Sequence, residues 1–210
     1  MFVLYKRGLV FSFFKPNNPY FISTIFTPMR KLLTEHKCRN SKSLRVCSVA
    51  VNKGVVDQIE HLGRSFAATS TSNYCRVRNG DVIYTKSPTG SFPYGIVKQS
   101  HFNEDVAVSP LYGVYKPISY NTGYLLHIYF EQHENANNYI KPLAQKGAKN
   151  TINITNDKFL DGTIIFPVKQ SDITKLSHLF NSLDKKITTE ELLLDTMLIQ
   201  KNTIMNIMFI

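Results

Sequence analysis

Residues 80–112 read GDVIYTKSPTGSFPYGIVKQSHFNEDVAVSPLY, and this run decides the fold class. Val82, Ile83 and Tyr84 are β-branched or aromatic, a second short apolar run covers residues 95–97, and a third covers 106–108. Each is bounded by Gly, Pro, Ser, Asn or Asp. Runs of that length and composition, punctuated by turn formers, predict an antiparallel meander. Between the first two runs lies TKSPTGS, residues 85–91, in which hydroxyl side chains surround one cation and Pro88 and Gly90 shape the turn. Donors of this kind suit a polyanion, and the same composition also serves an ordinary surface hairpin.

Toward the N-terminus, residues 44–51 (LRVCSVAV) read as a buried strand, Asn52-Lys53-Gly54 as a turn, and Val55-Val56 as the start of the next strand. Arg64, Ser72 and Tyr74 then lie in two polar stretches that contain phosphate-contact residue types. Residues 1–22 are aromatic-rich, follow neither the helical nor the strand period, and are interrupted by Lys15-Pro16-Asn17-Asn18-Pro19.

Toward the C-terminus, apolar spacing predicts two short helices, over residues 122–131 and 136–143. His127 and His133 fall there without Cys or carboxylate partners at ligand spacing, which favours structural roles. Gln145-Lys146-Gly147-Ala148-Lys149-Asn150 is a loop of amides and cations leading into the alternating strand 151–154. A helical turn at 155–160 ends at Gly162, and residues 163–167 form a last strand closed by Pro167. From Val168 to the end there is neither Gly nor Pro, while Leu183, Ile187, Leu194, Met197, Ile204 and Met208 sit near heptad positions. These readings predict an α+β chain: a mixed or antiparallel twisted sheet with short helices, then a long C-terminal helix of coiled-coil type. The expected divisions are an N-terminal segment at 1–43 with no assigned role, a folded domain at 44–168 and a helical spacer or dimerisation region at 169–210.

The net charge is +10, and it is unevenly placed: residues 1–169 hold 21 Lys/Arg against 10 Asp/Glu (+11), residues 170–210 hold 4 against 5 (−1). The basic front part favours a polyanionic partner. Cys38, Cys47 and Cys75 are odd in number and widely spaced, which indicates neither a disulfide framework nor a zinc site and fits a reducing, cytoplasmic setting. The apolar residues 8–14 are too few to span a bilayer, so no membrane partner is expected. No metal-nuclease carboxylate pattern, zinc-helix motif, phosphate loop or nucleophile elbow is present, so the expected class is a non-catalytic binder without cofactor.

Gly80-Asp81-Val82-Ile83-Tyr84, Tyr94-Gly95 and Ser109-Pro110-Leu111-Tyr112, supported by Gln145-Lys146-Gly147-Ala148, resemble in element order and short motifs the target recognition domain of the specificity subunit of type I restriction-modification systems. The resemblance covers roughly residues 44–209 and includes Leu183-Asp184-Lys185-Lys186-Ile187 in the helical region, although Asp172-Ile173 stands where the family usually has Glu-Gln. It implies a half-size or truncated specificity subunit with one recognition domain and one helical region. The partners it implies are double-stranded DNA, the methylation and restriction subunits that hold the catalytic sites, and a second half-subunit copy. On this reading Arg64, Ser72, Tyr74, Lys86, Ser87, Thr89, Ser91, Tyr94, Lys98, Gln145, Lys146, Lys149 and Asn150 form one DNA-binding face. Lys86, Lys98, Lys146 and Lys149 meet phosphates, while Ser87, Thr89, Gln145 and Asn150 reach base edges. Leu183, Ile187, Leu194, Met197, Ile204 and Met208 form the subunit interface. The alternative class is a coiled-coil adaptor or oligomerisation protein whose basic face is incidental.

Overall fold

The structure is a computed structural model, and it describes residues 22–40, 44–62, 71–146 and 152–208. In chain order, β1 (Thr24–Pro28) runs through a 3-10 turn (Met29–Lys31) into β2 (Leu33–Glu35), and β3 (Cys47–Ala50) forms a hairpin with β4 (Gly54–Asp57). After α1 (Gln58–Leu62) come β5 (Cys75–Val77), β6 (Val82–Tyr84), β7 (Val97–Gln99), β8 (Val106–Val108) and β9 (Gly113–Pro117). The helices α2 (Tyr120–Glu131) and α3 (His133–Ile140) follow, then the short strands β10 (Gln145–Lys146) and β11 (Ile152–Asn153), α4 (Asn156–Phe159), β12 (Thr163–Pro167) and α5 (Gln170–Met208). The fold is α+β, with antiparallel sheets, short helices and a long C-terminal helix, as the sequence predicts.

The central sheet has the order β2-β9-β6-β7 and carries a core on each face. Val82, Tyr84 and Tyr115 belong to the larger core, whereas Ile83 and Val114 join Cys47, Val77, Val106 and Val108 in a smaller one. Successive strand residues point to opposite faces, so the uninterrupted apolar run of β6 is what a strand buried on both sides requires. The larger core centres on Phe159 of α4, whose ring stacks 4.6 Å from Tyr84 and 5.2 Å from Tyr115 and meets Tyr139 edge-on at 5.4 Å. The three tyrosines packed around it satisfy their hydroxyls on carbonyls: Tyr84 on Tyr94, Tyr115 on Asn156, Tyr139 on Phe159. Thr155 caps α4 by accepting from the Lys158 amide.

The Gly80-Asp81 pair has a structural cause. Gly80 adopts φ +84 and lies against the Tyr120 ring, where a Cβ would stand 3.0 Å from Cδ2. The buried Asp81 carboxylate accepts from the Arg78 amide and from His36 Nε2, both at 2.7 Å, which closes the turn ahead of β6.

Two expectations are corrected. The meander holds for β6 and β7, but the third run, β8, pairs with β5, and the other neighbour of β6 is β9. Pairing over that distance leaves no local trace in sequence. The boundary after residue 43 does not separate structural units either, because β1 pairs along its whole length with β12 and β2 lies in the central sheet beside β9.

The helix α5 spans 39 residues, roughly 60 Å at about 1.5 Å per residue. Ile173, Leu176 and Ser177 are buried, Ser177 Oγ donates to the Asn121 carbonyl of α2 at 3.2 Å, and Tyr124 of α2 donates to Asp184. From residue 181 to residue 208 every position is exposed.

Candidate nucleic-acid interface

The loop between β6 and β7 is held at its neck. Thr85, buried, donates its amide to the Ile96 carbonyl at 3.0 Å and accepts the Ile96 amide on Oγ1 at 3.1 Å. Beyond it Lys86 takes φ 59, the only positive φ of a non-glycine residue among the described residues. Gly95, at φ 95, faces it, and a Cβ there would stand 2.8 Å from the Lys86 backbone nitrogen. The tip closes through reciprocal backbone bonds between Thr89 and Phe92 (3.0 and 2.9 Å), around Gly90 at φ 52. Ser87, Thr89 and Ser91 are exposed on this hairpin, while Tyr94 is half-buried against the larger core. The Ser87 and Thr89 hydroxyls donate weakly to carbonyls two residues back, at 3.4 and 3.3 Å, which leaves their lone pairs open to a donor.

Beside this loop opens a cleft of about 510 Å³. Residues 37–40 run antiparallel to residues 74–76, with the Asn40 amide on the Tyr74 carbonyl (2.9 Å), the Arg76 amide on the Cys38 carbonyl (2.8 Å) and Arg39 opposite Cys75. That pairing brings Lys37 and Arg39 to the cleft that Lys86 and Asn73 also line. Tyr112, from the Ser-Pro-Leu-Tyr motif, forms part of another wall, and Ile154 to Asp157, continuous with β11, close the far side. Two carboxylates are present, and both are engaged: Glu35 accepts from Asn156 Nδ2 at 2.7 Å, and Asp157 is bound by Arg30 at 2.8 Å. Burial lowers the affinity of the Lys86 amine for its proton, an effect opposed by nearby Glu35. Burial likewise raises the Cys75 pKa, with Glu35 acting in the same direction, so Cys75 is a thiol at neutral pH.

The expected DNA-binding residues distribute unequally. Lys86, Ser87, Thr89 and Ser91 share the hairpin, while Tyr74 (half-buried) lies in the segment paired with residues 37–40 and Ser72 (exposed) just before it. Gln145 and Lys146 form β10, paired with Asn153 and Ile152 of β11 in a stem that leads directly to the cleft wall at Ile154. Arg64, Lys149 and Asn150 lie outside the described residues.

Lys98 is a correction. It is 4% exposed in β7, and its Nζ is 2.7 Å from Glu131 Oε1, so its charge is committed inside the fold and is withdrawn from the DNA face. The same carboxylate meets His127 Nε2 at 3.1 Å, while His127 Nδ1 accepts the Gln99 amide at 3.0 Å. With Nδ1 an acceptor, the proton of the neutral ring sits on Nε2. Burial pushes the Glu131 carboxyl up, but the hydrogen bonds from His127 and Lys98, with the Lys98 charge, outweigh it and hold the group at about 2. His127 is thus a structural residue.

Sequence reasoning missed Lys37, Arg39, Asn73 and Asn156 as cleft residues. The long-range pairing of residues 37–40 with 74–76, and of β2 with β9, places the first three there, and α4 brings Asn156, whose side-chain amide binds Glu35 of β2. Among the described residues no group of three or more His, Cys, Asp or Glu is placed to hold a metal ion, and no helix is long and apolar enough to cross a membrane.

Neither a protein-family model nor a curated protein matches this chain.

Proposed function

We propose that the chain is a sequence-specific DNA-recognition unit, acting as a half-size specificity subunit of a type I restriction-modification complex. The domain at one end selects the DNA, and the helix α5 spaces it from a second recognition unit and docks the methylation and restriction subunits, which carry the chemistry. The observation that carries the reading is a basic α+β domain continued by a helix with 28 consecutive exposed residues. Leu183, Ile187, Leu194, Met197, Ile204 and Met208 on that helix are 46–68% exposed. An apolar row of such length on a helix surface is an interface seeking a partner. The hydroxyl-bearing hairpin and the cations beside it supply both kinds of DNA contact, phosphate and base edge.

The same exposed helix supports the rival reading, an adaptor that self-associates and leaves DNA alone. Titrating salt in a duplex-binding assay with the full chain separates the two. Phosphate neutralisation makes log affinity fall with log salt by about 0.9 per contact, so a steep linear decline is expected. Absence of duplex binding at low salt would move the assignment to the adaptor.

A further inference from the structure

The cleft beside the β6–β7 loop has an arrangement of charge that its own packing does not use. Lys37, Arg39 and Lys86 line it, and none of the three makes a hydrogen bond or ion pair with another described residue. Both carboxylates of the wall are held elsewhere, Glu35 by Asn156 and Asp157 by Arg30. The cleft therefore presents three cations with no hydrogen-bond or ion-pair partner among the described residues, beside two carboxylates that are hydrogen-bonded to other side chains. A second, independent feature lies in the backbone: Lys86 occupies the left-handed region at φ 59, where a side chain is disfavoured, and Gly95 gives up its Cβ to let the Lys86 backbone sit there. A lysine kept in a strained conformation with no hydrogen-bond or ion-pair partner among the described residues is a pattern of ligand sites, where strain serves preorganisation.

Building on the DNA-recognition reading, we propose that this cleft is a preformed phosphate seat, in which Lys86, Arg39 and Lys37 grip one phosphodiester of the DNA backbone and fix the register of the domain on the duplex. Lys86 is the preorganised member, and Arg39 supplies a fork able to hold two phosphate oxygens. Tyr112, whose hydroxyl burial keeps protonated, forms part of the wall beside them. With about 510 Å³ the cleft admits the flanking sugar as well as the phosphate. Such a contact contributes to affinity for every sequence and to discrimination among none.

The test uses the full chain and a fluorescent mixed-sequence duplex, titrated across salt, with inorganic phosphate as a separate probe followed by NMR shifts at Arg39 and Lys86. Arg39→Ala and Lys86→Ala are each expected to weaken duplex binding about tenfold and to flatten the salt slope by about 0.9, with the ranking of sequences unchanged. Lys86→Gly is the discriminating variant. It relieves the left-handed strain, so it is expected to raise the thermal midpoint by roughly 1–3 °C while still losing the tenfold in binding. A wild-type chain that binds duplex with a steep slope, together with Arg39→Ala and Lys86→Ala variants that keep that slope, overturns the seat and leaves the DNA reading standing. No duplex binding by the wild type overturns both. Phosphate-dependent shifts without duplex binding assign the cleft to a free phosphate ligand and overturn the DNA source.

Discussion

At the scale of single residues, the side chains that give the sequence its character turn out to hold turns. Gly80 and Asp81 close the entry to β6, and Gly95 makes room for the backbone of Lys86. Gly95→Ala puts a methyl group 2.8 Å from a backbone nitrogen at a φ of 95, and is expected to cost about 2–4 kcal/mol, measured by denaturant unfolding. The loss comes from the loop's backbone, so Lys86→Gly in the same protein should recover only part of it. Glu131 offers a pH test. Its carboxyl is depressed to about 2, below the unfolded value near 4.3, so its contribution is complete above that value and disappears as pH falls from there toward 2. The side chain is 40% exposed, and solvent screening limits the contribution to about 1–2 kcal/mol. Thermal melts of Glu131→Gln are expected to show that loss at pH 7 and a flatter acid limb. A variant with the wild-type acid limb would mean that the triad with Lys98 and His127 is not formed.

At the scale of elements, what the sequence made legible was local. The two-sided burial of β6, the paired helices α2 and α3, the capped turn of α4 and the long α5 each follow from a composition or period read over a few residues. What it concealed was pairing at a distance. Residues 37–40 carry no strand pattern of their own, and they reach the cleft only because Tyr74 and Arg76 accept and donate opposite them. Lys98 looked like any surface cation because its partner, Glu131, lies 33 positions away on α2. The aromatic cluster around Phe159 shows the same dependence on distant elements, since it joins α4 to β6, β9 and α3. Phe159→Ala is expected to cost about 3–5 kcal/mol, the range for emptying a large buried aromatic site. Chemical denaturation checks this, and a cost under about 1 kcal/mol would contradict a core organised on that ring.

At the scale of the whole molecule, the architecture divides labour: a domain with two cores presents the hairpin and the cleft, and a helix of 39 residues leaves it with an apolar row in solvent. Under the proposed function that row pairs with a second unit. Replacing Leu194 and Met197 together by Glu should abolish self-association in sedimentation while the domain keeps its melting temperature, because neither residue touches a core. If two copies of this chain pair, two-fold symmetry makes the target a spaced palindrome. The most direct test of DNA recognition is therefore selection: a random duplex library passed over the purified full chain, with the retained molecules sequenced. The account predicts enrichment of one defined motif, seen as two spaced half-sites with the wild type and as a single half-site with the Leu194→Glu, Met197→Glu variant. Retained duplexes indistinguishable from the starting library would contradict it.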